Sequence, residues 1–274
     1  MDDLSSRFDV SSPETQKNDF RSMANQYKSL NQAISERADL DIIKEMLSNG
    51  ADIHERNKDH ANETPLHNAA WFGSTELINL LIESGADIFS RDDCGQTPLH
   101  YAVAAEEIDI AKLLITLGAD VDDTYNSGAN ALGVICLGDD RPVEMCNMLL
   151  AAGADPRNKD GGGATDLQNN YDVSEKYYKS SWEDLKELTS ICLKQGLDIN
   201  DRNDKGNTPI LQYYANSVED EFEMEARVIK LLIDNGADVT MTSEQDGHSL
   251  LDHVNNGDIE DKEVCELILK AANK

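Results

Sequence analysis

Apolar residues in this chain recur in pairs of short helical patterns, and a glycine closes each pair. Leu99, Ala102 and Val103 share one face of a predicted helix, and a second apolar set, Ile108–Leu117, follows with helical spacing. Gly118 suits the left-handed residue that ends a helix. Because neither helix could bury its apolar face alone, the pattern predicts neighbouring pairs that stack to form a shared core.

The best-preserved pairs repeat at a fixed interval. Segments Thr64–His67 and Thr97–His100 both read TPLH and start 33 residues apart, and Gly85 and Gly118 close their units at the same interval. Thr can cap a helix, and Pro fits the first helical position. The period and the TPLHxA motif resemble the ankyrin-repeat family. The resemblance implies a mainly α solenoid of stacked helix pairs linked by β-hairpin fingers, with a concave palm lined by the first helices.

The same repeat pattern, with fewer of the motif residues, extends over most of the chain. A polar and acidic tail, residues 1–21, is expected to be disordered, and an ankyrin-repeat domain is expected over residues 22–274. The first helix is predicted from Met23 to Ile34, and the fourth unit starts at Asn130 in place of Thr-Pro. The expected repeats are about 22–56, 57–91, 92–124, 125–159, 160–202, 203–242 and 243–274.

Two units are longer than the others. When residues are counted inward from both ends of each unit, the extra residues fall between its two helices. They lie at about Asp172–Ser181 in unit five and at about Asn216–Glu223 in unit six. Insertions in repeats map to loops on one face, often the binding face. Both segments are therefore expected to form loops along one rim.

The net charge of −29 argues against binding to a phosphate backbone and favours a basic partner. No apolar run approaches the length of a membrane span, and the acidic start lacks the features of a signal peptide. Five scattered cysteines look like reduced, mostly buried thiols. We expect a cytoplasmic monomer without nucleic acid or membrane contacts, with the nucleus, or a host-cell cytosol for a secreted effector, as alternatives.

No residues form a recognisable catalytic, cofactor or metal motif, so none of these sites is expected. The family resemblance gives His67 and His100 a structural role within the turn. His54 and His60 could bind a metal but fit a polar fingertip better, and His248 with His253 suggests acid–base chemistry only weakly.

The candidate partner-binding residues are aromatic, acidic and fingertip side chains. Trp71 and Phe72 form a large apolar pair at the helix end that the family leaves open to solvent. The alternatives are that this pair fills a gap against the first unit, that the loop aromatics pin the loops and that the acids are merely solvated. The full set is Trp71, Phe72, Asp93, Gln96, Tyr177, Tyr178, Trp182, Glu219, Asp220, Glu221, Phe222, Glu223, Glu225 and His248.

These features together predict a non-catalytic protein–protein interaction module that binds a basic segment on an acidic concave face. A narrower alternative is an escort for a highly basic client such as a ribosomal protein or a histone. A second alternative is an effector or enzyme with a catalytic element hidden in the long inter-helix loops. Those loops lack a paired nucleophile and base, which disfavours the enzyme.

Overall fold

A computed structural model describes residues 22–137, 143–165, 182–219 and 226–273, and there the chain is mainly helical, as predicted. The chain divides between Ala119 and Asp120 into an N-terminal unit and a C-terminal unit. None of the helices in the described ranges is long and apolar enough to cross a membrane. The described helices are α1 Leu30–Ser35, α2 Leu40–Ser48, α3 Pro65–Phe72, α4 Thr75–Glu83, α5 Pro98–Ala104, α6 Ile108–Thr116, α7 Ala131–Leu137, α8 Val143–Ala151, α9 Trp182–Lys194, α10 Pro209–Glu219, α11 Ala226–Asp234, α12 Leu250–Asn256 and α13 Lys262–Ala272.

The N-terminal unit stacks three helix pairs. Helix α3 packs between α1 and α5, and α4 packs against α6. Ala69, Ala70 and Ala102 are fully buried on α3 and α5. Their small side chains allow the first helices to approach closely, while Ile78, Leu81 and similar residues of the second helices fill the core. The stacked pairs expected from the apolar pattern are thus present in this unit.

The first predicted helix, Met23–Ile34, is interrupted in the structure. Residues 22–24 form a short helical turn, and α1 starts separately at Leu30, because the Ser29 side chain accepts the Gln32 backbone N–H at 3.0 Å and caps the helix there. Met23 is 45% exposed and so contributes little to the core. The predicted tail, residues 1–21, lies outside the described residues, and the predicted repeat boundaries stay a prediction.

The two TPLH segments start their helices through the histidine ring. The Thr64 backbone N–H donates to Nδ1 of His67 at 3.2 Å, and the Thr64 hydroxyl lies 2.7 Å from the same nitrogen. Because Nδ1 accepts, Nε2 carries the proton and donates to the Gln96 carbonyl oxygen at 3.0 Å. Burial lowers the pKa of His67, which keeps the ring neutral. His67 therefore links its own turn to the next fingertip.

The later units replace this arrangement in different ways. Asn130 caps α7, since its Oδ1 accepts the Gly133 backbone N–H at 3.0 Å, so the degraded start of unit four keeps a cap. In unit six Leu211 takes the histidine position, and the buried Thr208 hydroxyl has no hydrogen-bond partner among the described residues. A buried hydroxyl without a partner is a local cost to stability.

This difference predicts unequal losses of stability when the same substitution is made at the two sites. Thr97→Val removes a hydroxyl that lies 2.8 Å from Nδ1 of His100 and should lower the free energy of unfolding by about 1–2 kcal/mol. Thr208→Val removes a hydroxyl with no partner and should be close to neutral. Hydrogen exchange of each variant, followed separately in the two units, measures both effects. Equal losses at the two positions would contradict the prediction.

In the C-terminal unit, α10 is longer than the other first helices and takes up part of a predicted loop. It runs to Glu219, so residues 216–219 of the Asn216–Glu223 insertion are helical, and the loop prediction was wrong for them. The Gln212 Nε2 donates to Asn216 Oδ1 at 2.7 Å, one turn apart, and Tyr213 is buried in the core. These contacts favour helix continuation. The other insertion, Asp172–Ser181, lies outside the described residues.

Some links between repeats are tight turns closed by a single bridge. Within the described ranges the antiparallel bridges are Asn57 with Glu63, Lys159 with Thr165, and Thr242 with Ser249. Successive fingertips of the C-terminal unit also touch, because the Asp204 backbone N–H donates to the Gly162 carbonyl at 3.0 Å. The predicted fingers are therefore short hairpins that stack on one another there.

Candidate protein-binding groove

A groove of about 870 Å³ lies within the N-terminal unit. It is bordered by α1, by the fingertip over residues 55–63, by the end of α3 and by α5. Trp71, Phe72 and Gln96, three of the predicted partner-binding residues, line it. The first helices thus present their open ends and a fingertip to one shared concavity.

An aromatic cluster forms one wall of the groove. The Trp71 side chain is 40% exposed, although it contacts two other rings edge to face. Its ring centroid lies 6.2 Å from that of Phe72 and 6.2 Å from that of Tyr101. Tyr101 in turn contacts the His67 ring at 5.0 Å. The cluster holds Trp71 in place while leaving part of it accessible to a ligand.

Two carboxylates share the single hydroxyl proton of Tyr101. The Tyr101 hydroxyl lies 3.0 Å from Glu63 Oε1 and 2.9 Å from Asp92 Oδ2. One phenol can donate to only one of them at a time. Burial, followed by the hydrogen bonds and charges of these two carboxylates, raises the pKa of Tyr101, so the phenol stays protonated. The site therefore concentrates negative charge beside the aromatic wall and would favour a cation.

Asn31, which lines the groove, has a buried side-chain donor without a partner in the described part of the chain. Its side chain is only 3% exposed, and its Oδ1 accepts a hydrogen bond from Nδ2 of Asn68 at 2.7 Å. Its own Nδ2 is buried and has no partner in the described part of the chain. A buried amide without a partner is costly, so a shift of this side chain that let it donate to a ligand carbonyl would contribute to binding.

The charges along the groove are mixed rather than uniformly acidic. Lys28, Arg56 and Lys58 line it together with Glu55, Asp59 and Glu63. The Arg56 guanidinium is turned toward the backbone, where it donates to the Asn62 carbonyl at 3.1 Å. The negative pair around Tyr101 is therefore a local feature of one end of the groove.

The remaining predicted residues lie elsewhere. Asp93 accepts two hydrogen bonds from the Asn62 side-chain amide, at 2.9 and 2.8 Å. Trp182, at the start of α9, packs against the core of the C-terminal unit, and the Arg227 guanidinium lies 5.2 Å from its ring centroid. Glu219 is the last residue of α10. Tyr177, Tyr178, Asp220, Glu221, Phe222, Glu223 and Glu225 lie outside the described residues.

Sequence reasoning missed two groove residues, Asn31 and Tyr101. A signal existed for Tyr101, since a large aromatic directly follows the TPLH motif there, where the preceding repeat has Asn68. Asn31 carried no signal, because its missing partner becomes visible only when α1 and α3 are packed together.

Comparisons with known proteins agree with the repeat architecture. The family model described as ankyrin repeats (3 copies) matches residues 30–125 and 90–160. A search of curated proteins gave no match. A chain from the solved complex of the predatory endopeptidase Bd0816 of Bdellovibrio bacteriovorus with the immunity protein Bd3460 is 21% identical, with a TM-score of 0.57, covering 71% of this chain and 94% of that chain. That likeness concerns the fold. Residues 30–160 therefore carry ankyrin repeats, which generally serve as protein-interaction modules.

Proposed function

We propose that the groove of the N-terminal unit binds an extended segment of a partner protein that carries Lys or Arg beside an apolar residue. The observation that carries this proposal is the exposed Trp71 next to two carboxylates that share one phenol proton. The family's general role in protein interaction supports it. So does the occurrence of a similarly folded chain in a complex between an endopeptidase and an immunity protein.

The basic side chain of the partner would contact both parts of the site. Its aliphatic stem packs on the accessible face of Trp71, and its charged head approaches the carboxylate of Glu63. A cation over a tryptophan face gains about 0.5–1 kcal/mol when exposed and more when desolvated. The carboxylate adds a charge-assisted hydrogen bond. An acidic segment would meet repulsion at the same place.

Asn31 would fix the position of the partner's backbone. Its Nδ2 is buried, so the side chain would shift toward the groove to donate to a peptide carbonyl, and a segment without an acceptor there would leave the amide unpaired. An unpaired buried donor costs about 1–3 kcal/mol. Because the acceptor is a backbone carbonyl, this contact would fix where the partner segment lies in the groove more than which side chains it carries.

The chain as a whole would act by binding, without catalysis. Its net charge of −29 would steer a basic partner toward it from a distance. An escort for a highly basic client is a narrower form of the same function, acting in the cytoplasm. The loop aromatics and acids predicted to bind remain further candidates for contacts with such a partner.

A random-peptide display library panned on the purified protein tests the proposal, with the Trp71→Ala protein used for subtraction. The enriched peptides should carry Lys or Arg beside an apolar residue. Their affinity should fall at least tenfold for Trp71→Ala and for Glu63→Gln. Phe89→Ala is the matched control, since Phe89 is 57% exposed in the same unit but does not line the groove. Acidic peptides, or equal binding to all variants, would refute the proposal.

A further inference from the structure

Two histidines and an aspartate meet at the last fingertip of the C-terminal unit. Asp246, His248 and His253 each offer one ligand atom, and these atoms lie within 4.8 Å of one another. Among the described residues this is the group of His, Cys, Asp and Glu side chains with metal-ligand spacing. His54 and His60, the pair considered from the sequence, are not part of it. The pairing arises because the fingertip folds back onto α12.

The carboxylate of Asp246 is oriented by the backbone. Its Oδ1 accepts the His248 backbone N–H at 2.9 Å. This leaves Oδ2 between the two rings, 3.4 Å from Nε2 of His253 and 3.7 Å from Nδ1 of His248. Ligand atoms around a tetrahedral zinc ion, with bonds of about 2.0–2.1 Å, lie about 3.3 Å apart. Two of the three separations are therefore already close to those a metal requires.

His253 has the second contact that metal-bound histidines commonly show. Its Nδ1 lies 2.9 Å from Asp258 Oδ2, in the turn between α12 and α13. A carboxylate behind the ring holds the proton on the rear nitrogen and turns the other lone pair toward the metal. The Tyr214 ring lies over the same imidazole, with centroids 4.4 Å apart, and the side chain of His253 is only 10% exposed. The ring is thus fixed in position.

This arrangement leaves an electrostatic conflict that a cation would resolve. A neutral imidazole has one N–H, and Asp258 takes it. The Nε2 lone pair of His253 then faces the Asp246 carboxylate at 3.4 Å, so two electron-rich atoms oppose each other. A metal ion between these atoms would remove this repulsion, and His248 places a third ligand atom at the same point.

We infer that Asp246, His248 and His253 form a binding site for a divalent transition-metal ion of the zinc class, with Asp258 as a positioning residue. Nitrogen and carboxylate ligands in this number suit Zn²⁺ and Co²⁺ and leave a fourth coordination position open to water or to a group from a partner. The bound ion would tie the last fingertip to α12 and to the turn that follows it.

Titration of the full chain with Co²⁺, followed by visible absorption, tests this inference, with Zn²⁺ competition and thermal unfolding alongside. One ion per chain should bind, with the absorption of a nitrogen and oxygen site and no thiolate charge-transfer band, and Zn²⁺ should raise the Tm of the C-terminal unit. His248→Ala should abolish the Co²⁺ spectrum, and Asp258→Asn should weaken binding about 10–100-fold. His54→Ala, which changes an exposed histidine of the other unit, should bind as the parent does.

Two results would overturn the inference. One is the absence of a Co²⁺ spectrum and of any Zn²⁺ effect on Tm in the parent chain. The other is unchanged binding in a His248→Ala and His253→Gln double variant, which would place the ion elsewhere. Asp246→Asn keeps the shape of the side chain and therefore the fold, and it should also lose the Co²⁺ spectrum.

Discussion

Gly206→Ala is expected to lower the free energy of unfolding of the C-terminal unit by about 3 kcal/mol, and Gly247→Ala by only about 1 kcal/mol. Both glycines have left-handed φ angles, +76° and +74°, at which a Cβ costs about 1–2 kcal/mol. At Gly206 the added Cβ would also lie 2.3 Å from Cγ and 2.9 Å from the backbone nitrogen of Glu244. Overpacking of this kind adds about 1–3 kcal/mol. Urea unfolding with a probe in the C-terminal unit measures the difference.

Gly247 is the matched control because it belongs to the last fingertip, and its Cβ would meet nothing within 4 Å. Gly163 offers a second test, since its Cβ would lie 2.9 Å from the backbone nitrogen of Asp204 in the next fingertip. Gly163→Ala should therefore resemble Gly206→Ala. If all three substitutions cost the same, then the neighbouring fingertip accommodates the added Cβ, and only the backbone angle sets the loss.

The repeat architecture could be predicted because its signals are local and periodic. Pro at the first helical position, His three residues after Thr and Gly at each unit's end depend on one turn of chain. The helix bounds were less accurate where tertiary contacts decide them. The first short helical turn begins at Ser22, and Ser29, seven residues later, caps the start of α1. The hydrogen bond between Gln212 and Asn216 lets α10 continue through residues that were predicted to be a loop.

The candidate site was predictable only in part, for a physical reason. Trp71 could be identified from its place in the repeat, because that position has the same environment in every unit. The shared proton of Tyr101 depends on Glu63 and Asp92, which come from two successive fingertips, and the metal-ligand group depends on a fingertip folding onto a helix. Contacts between segments of this kind follow no period, so no single-unit pattern reveals them.

Salt and the Trp71→Ala substitution should act on different rate constants for binding of a basic peptide selected by display. The net charge of −29 acts at long range, and the Debye length falls from about 30 Å at 0.01 M to about 3 Å at 1 M ionic strength. The association rate constant should therefore fall by about 10-fold to 1,000-fold over that range. Trp71 acts only after contact, so Trp71→Ala should raise the dissociation rate constant by about 30-fold, which corresponds to about 2 kcal/mol. Stopped-flow fluorescence with a labelled peptide measures both constants.

Glu63→Gln separates the long-range field from the local contact. It removes only one unit of a net charge of −29, so the association rate constant should hardly change. The same change replaces the carboxylate beside Tyr101 with a neutral amide, so dissociation should accelerate, as charge pairs within an interface act mainly on the dissociation rate. A large drop in association for Glu63→Gln would mean that steering comes from the groove and not from the whole chain. Association that is indifferent to salt would show that the long-range field does not steer the partner, and the affinity would then come from the local contacts of the groove.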